Sequence, residues 1–314
     1  MRARMRSGPA PWLCLLTVVA LLLTARGLAV QAMPLERFVV TSDGHGLVVW
    51  ARRPASPRGA VLLVHGRTWS SRPDFDLQVP GLQRSVLTSL AARGLAAYAV
   101  DLRGYGETPR DASGWITPRR AAADVINTLT WMTAQHPTLP RPTLVGWSRG
   151  ATVAMLAAQR SPDRMSGLVL FGFAYDPDLS FADPIYPSKP PRLKNTAAAA
   201  ASDFVSSQVT PRSVVDAFVA QALRSDPVTA DWRSEGEFNE LSPARVHVPT
   251  LLLFGDRDIN VTPGDAAKFL GRLGTTDRQM VSLAGADHAA QLEDTHDAWV
   301  TAVVEFVARA SARK

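Results

Sequence analysis

Five residues, Gly146-Trp147-Ser148-Arg149-Gly150, constrain this chain more than any others. The apolar run Pro142-Thr143-Leu144-Val145 leads into them, and the helix-forming run Ala151-Thr152-Val153-Ala154-Met155-Leu156-Ala157-Ala158 leads away. That context predicts a strand, a very tight turn and a helix, with Ser148 at the turn. Such a turn forces its central residue into a strained backbone conformation, and glycine on either side lets strand and helix approach without a Cβ between them. The serine then stands clear of the sheet at a helix N-terminus, where backbone N–H groups favour a developing negative charge.

A serine hydroxyl is a weak nucleophile unless a base removes its proton, so the chain must also supply a histidine and an orienting carboxylate. In a strand–turn–helix arrangement of this kind the expected order is serine, acid, histidine. Downstream, Thr250-Leu251-Leu252-Leu253-Phe254-Gly255 reads as a buried strand running into Asp256-Arg257-Asp258. Met280-Val281-Ser282-Leu283-Ala284 reads as another, followed by Gly285-Ala286-Asp287-His288. Both candidates lie at carboxyl ends of strands, where the loops of an open parallel sheet build active sites.

With these residues the chain resembles the α/β-hydrolase family, over nearly everything after the N-terminal segment. Val64-His65-Gly66-Arg67 resembles the family's strand-end His-Gly element, and Asp101-Leu102-Arg103-Gly104-Tyr105-Gly106 its D-x-R-G-x-G turn. Gly255-Asp256-Arg257-Asp258 is similar to the G-D-x-D element, whose second Asp usually holds the histidine, and Gly285-Ala286-Asp287-His288 to the loop that carries the general base. The resemblance implies a mostly parallel sheet with helices on both faces and a helical cap insertion. It implies a catalytic Ser148, Asp258 and His288, with the backbone N–H groups of Arg67 and Arg149 as the oxyanion hole. Asp256 is then structural in its turn, and Asp176 and Asp178 occupy the acid position used by some relatives. A serine at the elbow excludes the carboxylate-nucleophile branches, haloalkane dehalogenases and epoxide hydrolases.

The other histidines are weaker bases by position. His45 lies in a hairpin turn, and His136 ends a helix before Pro137. His247 precedes a strand at its amino end, and His296 lies just inside a helix start. His65 is expected to support the oxyanion loop. Arginine at both oxyanion positions is unusual beside an apolar site; pairing of Arg67 with Asp74 or Asp76 is the favoured reading over attraction for an anionic substrate. Trp69 and Trp147 are expected near the site, lining an acyl pocket or packing the core.

Arg2, Arg4 and Arg6 followed by apolar residues from Trp12 to Leu23, then Val30-Gln31-Ala32, read as a signal peptide over 1–32. This predicts a secreted or periplasmic protein spanning 33–314 with no stable membrane anchor after cleavage; a retained anchor is the alternative. Leu13 is too bulky before Cys14 for lipidation. The segment holds four arginines and no acid, so the formal charge falls from +6 to +2 when it leaves. The basic balance is therefore poor evidence for nucleic-acid binding, and no basic block interleaved with aromatics occurs. Cys14, the one cysteine, leaves too, so no disulfide or thiol chemistry is expected.

Strands are expected at Arg37–Val40 and Leu47–Arg52 as a hairpin, then at 59–65, 95–102 and 167–173, with helices at 80–93, 117–135, from 262 and over 295–308. From about 174 to 245 the chain is proline-rich, then alanine-rich, then helical in its apolar spacing, with Phe204, Val214, Phe218 and Val219 among the apolar positions. It falls between the sixth and seventh strands and is read as the cap, with Phe218 facing substrate; ordinary packed helices are the alternative. The leading function is a secreted serine hydrolase cleaving a small-molecule carboxylic ester through an acyl-enzyme, with no metal or organic cofactor. Peptidase or amidase action, carbon–carbon bond hydrolysis, and a binding protein on a degenerate scaffold are the rivals.

Overall fold

The computed structural model describes residues 33–312 apart from Ser207, and the expected signal peptide lies outside the described residues. The strands are β1 Glu36–Ser42, β2 His45–Arg52, β3 Gly59–Val64, β4 Leu77–Val79, β5 Leu82–Arg84, β6 Leu95–Val100, β7 Thr143–Trp147, β8 Gly167–Phe171, β9 Thr250–Gly255 and β10 Arg278–Leu283. The helices are α1 Ser71–Phe75, α2 Val86–Ala92, α3 Pro118–Gln135, α4 Arg149–Arg160, α5 Ala197–Ala201, α6 Arg212–Ser225, α7 Pro263–Arg272 and α8 His296–Ser311. Eight strands form one sheet in the order β1-β2-β6-β3-β7-β8-β9-β10. β1 and β2 pair antiparallel, as do β2 and β6, and the remaining neighbours are parallel. The expected α/β architecture is therefore present.

Both sheet faces are covered, which is why the central strands read as unbroken apolar runs. Alternate residues of β3 go to opposite cores: Ala60, Leu62 and Val64 to the one shared with α3 and α4, Val61 and Leu63 to the one shared with α2 and α8. Every residue of α4 from Gly150 to Gln159 is buried. Its small side chains (Ala151, Ala154, Ala157, Ala158) let it lie close under the sheet while α3 packs on its other side. Thr117 caps α3 through Arg120 N, with Pro118 at the first helical position.

One expected element differs. The helix over 80–93 is shorter, because Pro80-Gly81 closes the small β4–β5 hairpin and Gly81 takes φ +77°. The helix begins only at Val86, where the Ser85 hydroxyl accepts from Thr88 N at 3.1 Å.

Between β8 and β9 the chain leaves the sheet and forms α5, α6 and two 3-10 turns, Glu235–Glu240 and Pro243–Arg245. This segment packs onto loops at the carboxyl edge of the sheet. Asp226, just after α6, accepts from Ser70 N and Gly106 N, both at 2.8 Å. Arg110 pairs with Asp231 at 2.8 Å. Phe218 on α6 is fully buried, edge-on to Trp69 at 6.3 Å and to Phe204 at 5.1 Å.

Candidate active site

Ser148 joins β7 to α4 with φ +54° and ψ −117°, a conformation that side-chain-bearing residues rarely adopt. The flanking glycines are obligatory. A Cβ at Gly146 would overlap the carbonyl oxygen of Gly150, and one at Gly150 would overlap those of Val64 and His65. Ser148 N donates to Phe171 O at 2.8 Å, which ties the turn to the neighbouring strand β8.

Asp258 follows β9 and His288 follows β10. His288 Nδ1 donates to Asp258 Oδ2 at 2.8 Å, and the other Asp258 oxygen accepts from Asn260 N at 2.9 Å. Both side chains are largely buried, at 9% exposure for His288 and 5% for Asp258. Trp147, the residue before Ser148, donates its indole N–H to His288 O at 2.9 Å, and the two rings lie 5.7 Å apart. Gly172 (φ +55°) fits between them, since a Cβ there would sit 3.0 Å from His288 Cε1 and 3.3 Å from Trp147 Cδ1. Ser148, Asp258 and His288 are thus gathered at one end of the sheet.

The competing carboxylates are engaged elsewhere. Asp256 accepts from Gly285 N at 2.8 Å and fastens the two loops. Asp176 lies 2.7 Å from Lys268 Nζ, and Asp178 lies 2.6 Å from Arg272 Nη1. His65 is wholly buried, donating from Nδ1 to Gly66 O at 2.9 Å and accepting Leu102 N at Nε2 at 3.1 Å. Burial lowers its pKa to about 4, so it is a neutral strut between the loops after β3 and β6. In the D-x-R-G-x-G turn, Asp101 accepts from Ser71 N, Glu107 N and Trp50 Nε1, while Arg103 clasps Asp124 through two bonds of 2.8 Å.

Gly66 lies against the serine: a Cβ there would be 3.8 Å from Ser148 Cβ. Arg67 is therefore one residue from the point of closest approach, and Arg149 is next to Ser148 in the chain. The expected pairing of Arg67 with Asp74 or Asp76 does not occur. Asp74 is fully buried and accepts from Gly66 N at 3.1 Å, while Asp76 pairs with Arg52 at 2.9 Å. Both acids point back beneath the loop, whereas Arg67 leans toward the cap and forms a forked pair with Glu235 at 2.7 and 2.9 Å. Arg149 Nη2 reaches the same carboxylate at 2.8 Å. No spacing in the sequence points to Glu235.

Burial pushes Asp74 well above the usual carboxylate range, with Asp203, Asp226 and Asp101 adding repulsion. Asp203, in the cap after α5, is pushed up to about 6 by burial, against the pull of His288. No spacing in the sequence points to Asp203 either. Trp69 and Trp147 are 1% and 3% exposed, and Trp147 stacks on Phe171 at 6.3 Å. No group of three or more His, Cys, Asp or Glu residues placed to hold a metal ion occurs among the described residues. A cavity of about 790 Å³ lies between β10 and α8 and is lined by none of the three candidate catalytic residues.

A curated relative is the monoacylglycerol lipase of Mycolicibacterium smegmatis (strain ATCC 700084 / mc(2)155), 25% identical over 259 residues, which cover 74% of this chain and 81% of the relative. Among solved structures, the chain is similar in fold to a proline iminopeptidase from Mycobacterium smegmatis, with a TM-score of 0.62, 15% identity, and coverage of 88% of this chain and 99% of the other. It is also similar to an esterase from Pyrococcus furiosus, with a TM-score of 0.57, 17% identity, and coverage of 88% and 91%. At these identities the two structures speak for the fold alone. Residues 55–295 match the family described as serine aminopeptidase, S33, and the chain belongs to that family of α/β hydrolases.

Proposed function

We propose that the protein is a secreted serine hydrolase that cleaves carboxylic esters through an acyl-enzyme on Ser148. The observation that carries this reading is the 2.8 Å contact between His288 Nδ1 and Asp258 Oδ2, on loops that flank a serine at φ +54°. Asp258 fixes the tautomer in which His288 Nε2 is free to take a proton. Nε2 removes the Ser148 hydroxyl proton as Oγ attacks the ester carbonyl carbon. The negative charge on the former carbonyl oxygen meets the amides of Arg67 and Arg149, of which Arg149 opens α4 and has no intrahelical acceptor. His288 then gives its proton to the departing alkoxide, and the alcohol leaves. Water attacks the acyl-enzyme in the same way, its proton passing through His288 to Ser148 Oγ as the acid is released. Trp69, Trp147 and Phe218 are assigned to the apolar wall on the acyl side.

The monoacylglycerol lipase relative supports an ester as the scissile group. Peptidase or amidase action has one observation in its favour, the cap carboxyl of Asp203 near His288, which would suit a substrate amino group. Labelling of Ser148 by a fluorophosphonate probe, followed by kcat/KM on 4-nitrophenyl esters and on aminoacyl 4-nitroanilides, tests both readings. No labelling at Ser148 overturns the nucleophile assignment, and faster turnover of the anilides overturns the ester assignment.

A further inference from the structure

Two guanidinium groups, one of them on the residue after Ser148, meet one carboxylate, and the three charges do not cancel. Arg67 comes from the loop after β3 and Arg149 from the first position of α4, the two places assigned to the oxyanion hole, and Glu235 comes from the cap. Glu235 holds Arg67 by both oxygens, yet the Arg67 side chain stays half exposed. Arg149 gives one nitrogen to Glu235 and lies over the rings of Phe238 at 5.2 Å and Trp232 at 5.9 Å. Its Nη1 is buried without a hydrogen-bond partner among the described residues. Burial lowers the Arg149 pKa, the charge of Glu235 raises it, and the like charge of Arg67 lowers it again. Asp183 is exposed and packs against Gly236. Tyr186 accepts from Glu235 N at 3.0 Å.

Glu235 itself sits on a single 3-10 turn, after Ser234 in the left-handed conformation (φ +55°, ψ +40°) and before Gly236. Ion pairs that only pin a cap do not need a second arginine with an unused donor. Guanidinium groups suit planar or tetrahedral oxyanions because their N–H donors are arranged as a fork.

We propose that Arg67 and Arg149 form an anion-binding subsite beside the scissile bond, for an ester that carries a carboxylate or phosphate a few bonds from its carbonyl. This rests on Ser148 being the nucleophile of an ester hydrolase. Glu235 is the like charge that tempers the subsite, so removing its charge strengthens anion binding.

The test uses pairs of anionic and neutral substrates. 4-Nitrophenyl hemiglutarate against 4-nitrophenyl pentanoate places the anion on the acyl side, and 1-butyrylglycerol 3-phosphate against 1-butyrylglycerol places it on the alcohol side. In one of the pairs, the anionic-to-neutral ratio of kcat/KM rises about tenfold in Glu235→Gln and falls about tenfold in Arg149→Gln, as expected for a charged hydrogen bond gained or lost. The response names the side on which the anion sits. Ratios within twofold of wild type in both pairs overturn the proposal, even with neutral esters still turned over. Calorimetric binding of glutarate and of glycerol 3-phosphate gives a readout independent of turnover. Tighter binding of either anion by Glu235→Gln than by wild type supports the subsite, and binding by neither protein overturns it. Failure of every ester together with absent fluorophosphonate labelling would instead strike the ester-hydrolase reading itself.

Discussion

Gly146 and Gly150 determine how the serine is presented: a Cβ at either would be driven into backbone atoms, and between them Ser148 holds its positive-φ conformation. Strain of this kind costs on the order of 1–3 kcal/mol and persists because the surrounding strand and helix fix both ends. Ser148→Ala removes one oxygen from a half-buried position, so the melting temperature should stay close to wild type while ester turnover disappears. Turnover near the wild-type rate, with acyl-enzyme still seen by mass spectrometry, would refute the nucleophile. The two acids of the Gly255–Asp258 turn should separate cleanly. Asp258→Asn leaves a group that cannot hold the imidazolium, and kcat should drop by roughly 10⁴. Asp256→Ala loses the bond from Gly285 N, costs about 1 kcal/mol of stability, and leaves most turnover intact. A larger loss of kcat in the folded Asp256 variant than in the Asp258 variant would reverse the assignment.

Among the elements, the loop from β10 to α8 carries the candidate base beside a buried pair of carboxyl groups, Asp287 and Glu293. Glu293 accepts from Asp287 N at 2.9 Å and Ala289 N at 3.1 Å, and Asp287 accepts from Ser206 N of the cap at 2.6 Å. Both acids are fully buried. Burial, then contact with Asp287, pushes Glu293 up to about 9. An acid whose folded pKa is raised stabilises the fold while it is neutral. That contribution is complete below the ordinary glutamate value near 4.5 and is lost as pH rises toward about 9. Glu293→Gln cannot ionise, so its melting temperature should fall less than that of wild type between pH 5 and pH 9. Parallel pH profiles for the two proteins would show that Glu293 does not titrate in this window. In the cap, Phe218→Ala removes a ring packed on Trp69 and Phe204 and should cost about 3–5 kcal/mol. As an acyl-side wall it should also shift the preferred ester chain length. A lowered melting temperature with an unchanged chain-length profile rejects that role.

Across the whole molecule, what the sequence made legible was whatever depends on neighbours in the chain. The elbow, the Asp43-Gly44 hairpin turn and the strand ends bearing Asp258 and His288 each combine an apolar run with a local turn signal. Glu235 escaped because its partner Arg67 lies 168 residues away and nothing in the cap marks one acid above another. The helix expected over 80–93 begins only at Val86 because the Pro80-Gly81 turn overrides the apolar spacing before it. The same local logic gives the last prediction. β1 begins at Glu36 and is an edge strand paired with β2 alone. Processing after Ala32 would leave β1 whole, and would take away four arginines, bringing the formal charge from +6 to +2. We propose that the exported protein begins at Met33. Intact-mass measurement on the secreted or periplasmic fraction should give the mass of residues 33–314, and a chain expressed from Met33 should turn over esters at the same rate as the exported form. An intact Met1 on soluble protein from the cytoplasm of the native host would sink the export assignment, whatever the outcome at Ser148.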